Sequence, residues 1–251
     1  MNSFIAWIGG KKLLRKNIIK MFPEEKEIDR YIEVFGGAGW VLFGKEPSRH
    51  LEVYNDVDSN LVNLYRCIKY HCEALQEELD WLLISREQFF DCKNQLDTRG
   101  LTDIQRAARY LFIIKISFGS DRRTFGTNKK NLANTIEYLP QIKDRLKNVV
   151  IENKDFESLI KVYDRPGALF YLDPPYVGTE KYYDSGFGAD DHIRLNTLLK
   201  GIKGKFILSY NDDEMIRELY RDFEIVGISR NSNLSNKTNA EEYKELVIKN
   251  F

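Results

Sequence analysis

Tyr31-Ile-Glu-Val-Phe35, followed at once by Gly36-Gly37-Ala38-Gly39, runs an apolar β-type segment straight into a cluster of glycines. Aromatic and β-branched residues suit a pleated strand, and glycines at its carboxyl end let backbone come close to a ligand. The next such run, Leu51-Glu-Val-Tyr54, ends in Asn55-Asp56, with Asp56 seventeen residues beyond Gly39. A carboxylate at the end of a second strand is placed to accept hydrogen bonds from both ribose hydroxyls of a nucleoside. Together the glycine turn and Asp56 favour a nucleoside-containing cofactor at the edge of an open sheet.

Working outward, the same rhythm continues. Strands are predicted at Asn148–Glu152, Ala168–Leu172, Lys205–Ser209, Phe223–Ile228 and Glu245–Lys249. Between them lie helical patterns: one from Ser59 with Leu61, Val62, Leu64, Tyr65 and Ile68, and one over Asp190–Lys200 with Ile193, Leu195, Leu198 and Leu199. A third carries Met215, Ile216, Leu219 and Tyr220. Strand–helix alternation predicts an α/β fold, a sheet of about seven mostly parallel strands with helices on both faces.

The 251 residues balance 38 Lys and Arg against 38 Asp and Glu, and 43% are hydrophobic. That composition excludes disordered, collagen-like and disulfide-scaffold classes, and also a uniformly basic nucleic-acid coat. Cys67, Cys72 and Cys92 have no metal-type spacing and read as reduced, buried thiols, with no metal expected. The apolar start MNSFIAWIGG precedes its charges, the reverse of a secretory signal. No apolar run approaches the roughly 20 residues of a membrane span, so a cytoplasmic protein without a membrane partner is expected.

The rhythm breaks between about residues 65 and 147, a mostly helical insert. Thr102-x-x-Gln105 is a capping box opening a helix with Ala107, Ala108, Leu111, Phe112 and Ile116 on its apolar side. Residues 117–131, Ser-Phe-Gly-Ser-Asp-Arg-Arg-Thr-Phe-Gly-Thr-Asn-Lys-Lys-Asn, follow as a basic, turn-rich stretch. From 106 to 147 there are ten Lys and Arg against three Asp and Glu, an excess otherwise absent from this neutral chain. A solvated loop is one reading; the other is a phosphate-contacting patch that includes Arg122, Arg123, Lys129 and Lys130, with Phe118 and Phe125 available to stack or wedge.

Two phosphate-bearing cofactors fit poorly. A dinucleotide turn built on Gly37 and Gly39 needs a small residue at Leu42, and Gly10-Lys11 is followed by Lys12 rather than Ser or Thr. A nucleoside cofactor without phosphates remains, of which S-adenosylmethionine is the common one. The strongest signal is Asp173-Pro174-Pro175-Tyr176 after the apolar run Leu169–Leu172. Two prolines fix an extended corner with no amide donors of its own, leaving the Asp173 carboxylate and the Pro174 carbonyl as acceptors. With the Tyr176 ring beside them, they suit an amino group on a flat ring.

In this ordered set the chain resembles the Dam-type DNA adenine-N6 methyltransferases, over nearly its whole length. Trp7-Ile-Gly-Gly-Lys11, Phe35–Gly39, Asn55-Asp56, Asn153-Lys-Asp-Phe156, Asp173–Tyr176, Ser229–Asn233 and Glu245–Asn250 are each similar to a family segment. The resemblance implies a Rossmann-like methyltransferase sheet with a helical DNA-recognition domain inserted at 65–147 between two parts, 1–64 and 148–251, of a cofactor-binding catalytic domain. It implies that Lys11 meets the methionine carboxylate with Trp7 beside it, that Phe35, Gly36, Gly37, Ala38 and Gly39 line the cofactor, and that Asp56 holds its ribose. Asp155 would accept from the cofactor adenine amine, with Phe156 in contact. Asp173, Pro174 and Tyr176 would form the catalytic corner facing a flipped-out adenine of double-stranded DNA. Ala6 stands where many members carry a DNA-reading lysine, so GATC is not implied as the target.

Other readings stay open from residues alone. A cytosine-N4 DNA methyltransferase uses the same chemistry, though serine at position 173 would suit it better. A glutamine or RNA methyltransferase more often has asparagine there, and a catalytically silent DNA-binding relative need not retain Lys11, Asp56, Asp155, Asp173 and Tyr176 together. A monomer is favoured.

Overall fold

The computed structural model describes residues 1–127, 131–179, 186–230 and 243–251. Its strands are β1 (Arg30–Glu33), β2 (Leu51–Asn55), β3 (Val149–Glu152), β4 (Ala168–Leu172), β5 (Lys205–Asn211), β6 (Glu224–Arg230) and β7 (Tyr243–Lys249). All lie within a few residues of their predicted positions. They form one sheet in the order β3-β2-β1-β4-β5-β7-β6. β1 to β5 are parallel, and β7 runs antiparallel to both β5 and β6. Strand order therefore reverses direction between β1 and β4, which opens a crevice at their carboxyl ends.

Period-two alternation sends each strand's side chains to two separate cores. In β4, Leu169 and Tyr171 enter one core, while Ala168, Phe170 and Leu172 enter the other. The first face is covered by α1 (Arg15–Lys20), α2 (Trp40–Gly44) and the helices between β2 and β3. These are α3 (Ser59–Tyr70), α4 (Cys72–Asp80), α5 (Arg86–Leu96), α6 (Asp103–Ile116) and α7 (Ala133–Leu146). On the second face lie α8 (Phe156–Tyr163), α9 (Ala189–Lys200) and α10 (Glu214–Leu219). In α9, Leu195 and Leu199 are one turn apart and buried, whereas Ile193, on the opposite side, is exposed.

The helical insert shares its core with the sheet. Its central helix α6 opens with the expected capping box: the Gln105 N–H donates to Thr102 Oγ1 and the Thr102 N–H to Gln105 Oε1, both at 3.2 Å. Ala107, Ala108, Leu111 and Phe112 then bury fully against α3, α4 and α5. Cys67, Cys72 and Cys92 are free thiols in this core. Among the described residues no group of three or more His, Cys, Asp or Glu is placed to hold a metal ion. No described helix is long and apolar enough to cross a membrane.

Candidate active site

Three strand ends are tied together at the crevice by one side chain. The Asn55 amide donates to Val34 O at 2.8 Å and Lys154 O at 3.0 Å, and accepts from the Lys154 N–H at 2.9 Å. The loops after β1, β2 and β3 are thus held at one level. A cavity of about 310 Å³ runs along them, its wall including Trp7, Lys11, Phe35, Asp56, Phe156 and Asp173. That is the size of a small-molecule site.

The glycine turn forms the cavity floor. A Cβ on Gly36 would lie 2.3 Å from the Tyr54 ring, and Gly37 has a left-handed φ of +48°. Beneath it, the Tyr54 and Tyr65 hydroxyls both donate to Gly37 O, at 2.7 and 3.1 Å. Above it, the Gly37 N–H donates to Asp56 Oδ2 at 2.8 Å, and the Asp58 N–H to Asp56 Oδ1 at 2.9 Å. Burial raises the Asp56 carboxyl to about 6 against these two opposing bonds. Trp7 lies against Gly37, and Ala38 and Gly39 complete the turn into α2.

At the other end three phenylalanines pack into an aromatic wall. Phe35, Phe156 and Phe187 have ring centroids 5.6 to 5.9 Å apart. Such a wall suits the face of a flat heterocycle. Asp155 stands at its edge with both oxygens occupied. Oδ1 caps α8 by accepting from the Glu157 N–H at 3.0 Å, and Oδ2 accepts from Arg194 Nη2 at 2.7 Å. The Arg194 guanidinium also lies 4.2 Å over the Phe156 ring.

At the β4 corner, Lys11 Nζ lies 2.7 Å from Asp173 Oδ1 and 2.8 Å from Gly9 O, which accepts from it. The lysine is 4% exposed. Its ammonium sits 4.7 Å over the Tyr176 ring and 3.9 Å from Glu245 Oε2, and the Tyr176 hydroxyl donates to that same oxygen at 3.2 Å. Burial lifts the Asp173 carboxyl to about 6; Lys11 pulls it down and Glu245 pushes it up. Pro174 is buried and Pro175 reaches the cavity wall. The set fits an S-adenosylmethionine-type ligand: backbone cleared by glycine, a carboxylate at the second strand's end, an aromatic wall, and a charged corner.

The expected DNA-contacting residues divide by location. A hairpin closes between Ser117 and Phe125, with the Phe118 N–H donating to Thr124 O at 2.8 Å and the Gly126 N–H to Ile116 O at 2.9 Å. Phe118 (61% exposed) and Arg123 face outward. Phe125 instead packs beside Phe89, with the Arg86 guanidinium over its ring. Arg122 turns inward to the cavity wall. Lys129 and Lys130 lie outside the described residues. The basic excess of 106–147 is also partly matched from elsewhere in the fold: Arg106 pairs with Asp103, Arg109 with Glu78, Arg122 with Asp58, Lys143 with Glu73, and Arg145 with Glu52.

Sequence reasoning assigned no role to four residues of this site. Glu245 directly precedes the apolar run Leu246-Val-Ile248 of β7, and Glu33 interrupts β1; an acid beside buried strand residues was the available signal. Burial raises Glu33 to about 8, against hydrogen bonds from the Tyr31 hydroxyl and the Leu42 backbone. Phe187 and Arg194 gave no local signal, since only the tertiary fold brings them beside Phe156 and Asp155.

A family model described as D12 class N6 adenine-specific DNA methyltransferase matches residues 7–234. The type II methyltransferase M1.LlaDCHI of Lactococcus lactis subsp. cremoris is 28% identical over 278 aligned residues, covering 100% of this chain and 96% of that protein. The type II methyltransferase M.MjaIII of Methanocaldococcus jannaschii is 28% identical over 291, covering 99% and 98%. A DNA adenine methylase of Haemophilus influenzae is 23% identical over 267, covering 97% and 92%.

Proposed function

The chain belongs to the D12 class of N6 adenine-specific DNA methyltransferases, and from that premise we propose which of its residues carry the reaction. The activity is methyl transfer from S-adenosylmethionine to the N6 amine of adenine in DNA. S-adenosylmethionine supplies a methyl group on a sulfonium, so what departs is a neutral thioether. In our reading Trp7, Lys11 and the Phe35–Gly39 turn hold its amino-acid part, Asp56 its ribose, and Asp155, Phe156 and Phe187 its adenine. No metal takes part.

The nucleophile is a poor one, because the N6 lone pair is delocalised into the purine ring. Asp173 Oδ2 and the Pro174 carbonyl accept its two N–H bonds, which favours a pyramidal nitrogen and frees the lone pair. As the C–N bond forms, positive charge grows on N6 beside the Asp173 carboxylate, a preorganised stabiliser. N6 then sheds one proton towards that carboxylate. Lys11 keeps Asp173 ionised in a setting that would otherwise neutralise it. The observation that carries this reading is the 2.7 Å pair of Lys11 and Asp173 at the cavity that Asp56 also lines.

Inside a duplex the amine is out of reach, so the adenine must be extruded at about a few kcal/mol, offset by stacking on Tyr176 and phosphate contacts from the 65–147 insert. We assign Arg123, Phe118, Lys129 and Lys130 to that surface. We read the protein as a monomer. The test is mass spectrometry of nucleosides from unmethylated duplex DNA after incubation with cofactor. N6-methyladenine is expected, with a loss of about 100-fold or more in Asp173→Ala while cofactor binding weakens only moderately. N4-methylcytosine, or undiminished turnover in the variant, overturns the assignment.

A further inference from the structure

Arg122 belongs by sequence to the hairpin of the insert, yet its guanidinium forms part of the cofactor cavity wall. Its side chain is 17% exposed. The guanidinium lies 4.8 Å over the Trp7 ring, whose other contacts include the glycine turn at Gly37. Nη1 donates to the Tyr110 hydroxyl at 2.7 Å and lies 3.2 Å from Asp58 Oδ2, to which Tyr110 also donates. Asp58 in turn caps α3 through Oδ1 and donates its N–H to Asp56, the ribose carboxylate. A continuous series of bonds thus runs from the hairpin through Asp58 and Asp56 to Gly37.

The backbone at this contact is left-handed. Among described residues other than glycine, Arg122 (φ +60°) and Ser120 (φ +61°) are the two with left-handed backbone. Such conformations persist where the surroundings enforce them, often at ligand clamps. The hairpin is also internally braced, since Asp121 Oδ1 accepts from the Arg123 and Thr124 N–H groups at 2.9 and 3.0 Å. A displacement at Arg122 therefore moves the outward-facing Arg123 with it.

We propose that Arg122 is the positioning residue through which cofactor occupancy and DNA binding are coupled: a ligand touching Trp7 and Asp56 biases the hairpin, and DNA on the hairpin biases the pocket. This rests on the DNA-contacting role given to the hairpin above. Linkage makes the coupling reciprocal, so one factor describes both directions.

The test measures binding of unmethylated genomic DNA fragments with and without sinefungin, a cofactor analogue with an amine where the methyl sulfonium stands. Sinefungin binding is measured with and without the DNA. In the wild-type protein each ligand tightens the other by the same factor, about 5-fold or more. In Arg122→Lys, which keeps the charge but loses the planar stack on Trp7, the factor falls towards one, and Arg122→Ala abolishes it. A residue of merely structural importance would weaken both affinities and lower the melting temperature while leaving the factor intact, and that result overturns the proposal. So does a factor of one in wild-type protein that methylates the same DNA. Wild-type protein that forms no N6-methyladenine instead overturns the reading beneath it. Should Arg122→Ala not fold, Arg122→Lys and Trp7→Phe decide the matter, each expected to reduce the factor.

Discussion

Lys11 Nζ lies 2.7 Å from Asp173 Oδ1, joining the amino-terminal turn to the corner that follows β4. The two groups are far apart in sequence and sit on different walls of one cavity. The contact keeps a carboxylate charged where burial alone would neutralise it. Gly9 O, the Tyr176 ring and Glu245 converge on the same ammonium.

Replacing that ammonium with an uncharged chain of similar length separates its electrostatic role from its volume. In Lys11→Met, Asp173 loses the largest influence holding it down and rises above its value of about 6. Activity that needs the ionised carboxylate is lost as pH falls through the folded pKa. The acid limb of kcat/KM therefore moves up from about pH 6, and turnover at neutral pH drops about tenfold or more. A pH–rate profile checks this, alongside thermal melting, because breaking a buried pair also destabilises by about 3 kcal/mol.

Glu33 makes the opposite case, a carboxylate that the fold keeps protonated. Its value rises from 4.5 to about 8, so the folded state holds a proton that the unfolded chain releases. The stability due to this group is complete below about pH 4.5 and is lost as pH rises to 8. Glutamine mimics the protonated acid without titrating. Glu33→Gln should become steadily more stable than the parent from pH 5 to 8, by about 1.4 kcal/mol per pH unit, and level off above. Urea unfolding of both proteins at several pH values reads the difference directly.

These two acids mark how far the amino-acid sequence reaches. Strand positions and the strand-end sites of Asp56, Asp155 and Asp173 were legible because pattern and motif are local. The capping box at Thr102 and Gln105 was legible for the same reason. Strand order was not, as β7 enters between β5 and β6 only through long-range pairing. The destination of Arg122 was hidden too, because a basic window records charge but not where each chain turns. Arg145 shows the same limit: it reads as surface charge and is buried against Glu52, which Lys45 also meets.

Arg194 occupies the carboxylate oxygen that the cofactor adenine is proposed to use. Both partners of this pair are more than two-fifths exposed, so it contributes at most about 1 kcal/mol. Binding of the cofactor must share or displace it. Arg194→Ala should therefore lower the cofactor Kd by about 2- to 5-fold, most visibly at low salt, whereas Asp155→Asn should raise it. Calorimetric titration with sinefungin at two ionic strengths distinguishes this from a stacking role for Arg194, in which the alanine variant binds more weakly.

Adjacent arginines offer the sharpest contrast on the hairpin. Arg123 points outward, and a phosphate contact there releases counterions when DNA binds. Arg122 is already engaged by Asp58 and Tyr110 inside the cavity wall, so DNA need not neutralise it. Arg123→Gln should reduce the slope of log affinity against log salt by about 0.9, the value for one lost phosphate contact. Arg122→Gln should leave that slope unchanged while altering how strongly cofactor tightens DNA binding. Filter binding across a salt series measures both. Equal changes of slope in the two variants would mean that the guanidinium of Arg122 leaves Trp7 for the phosphate backbone when DNA arrives. The inward hairpin would then describe only the DNA-free protein.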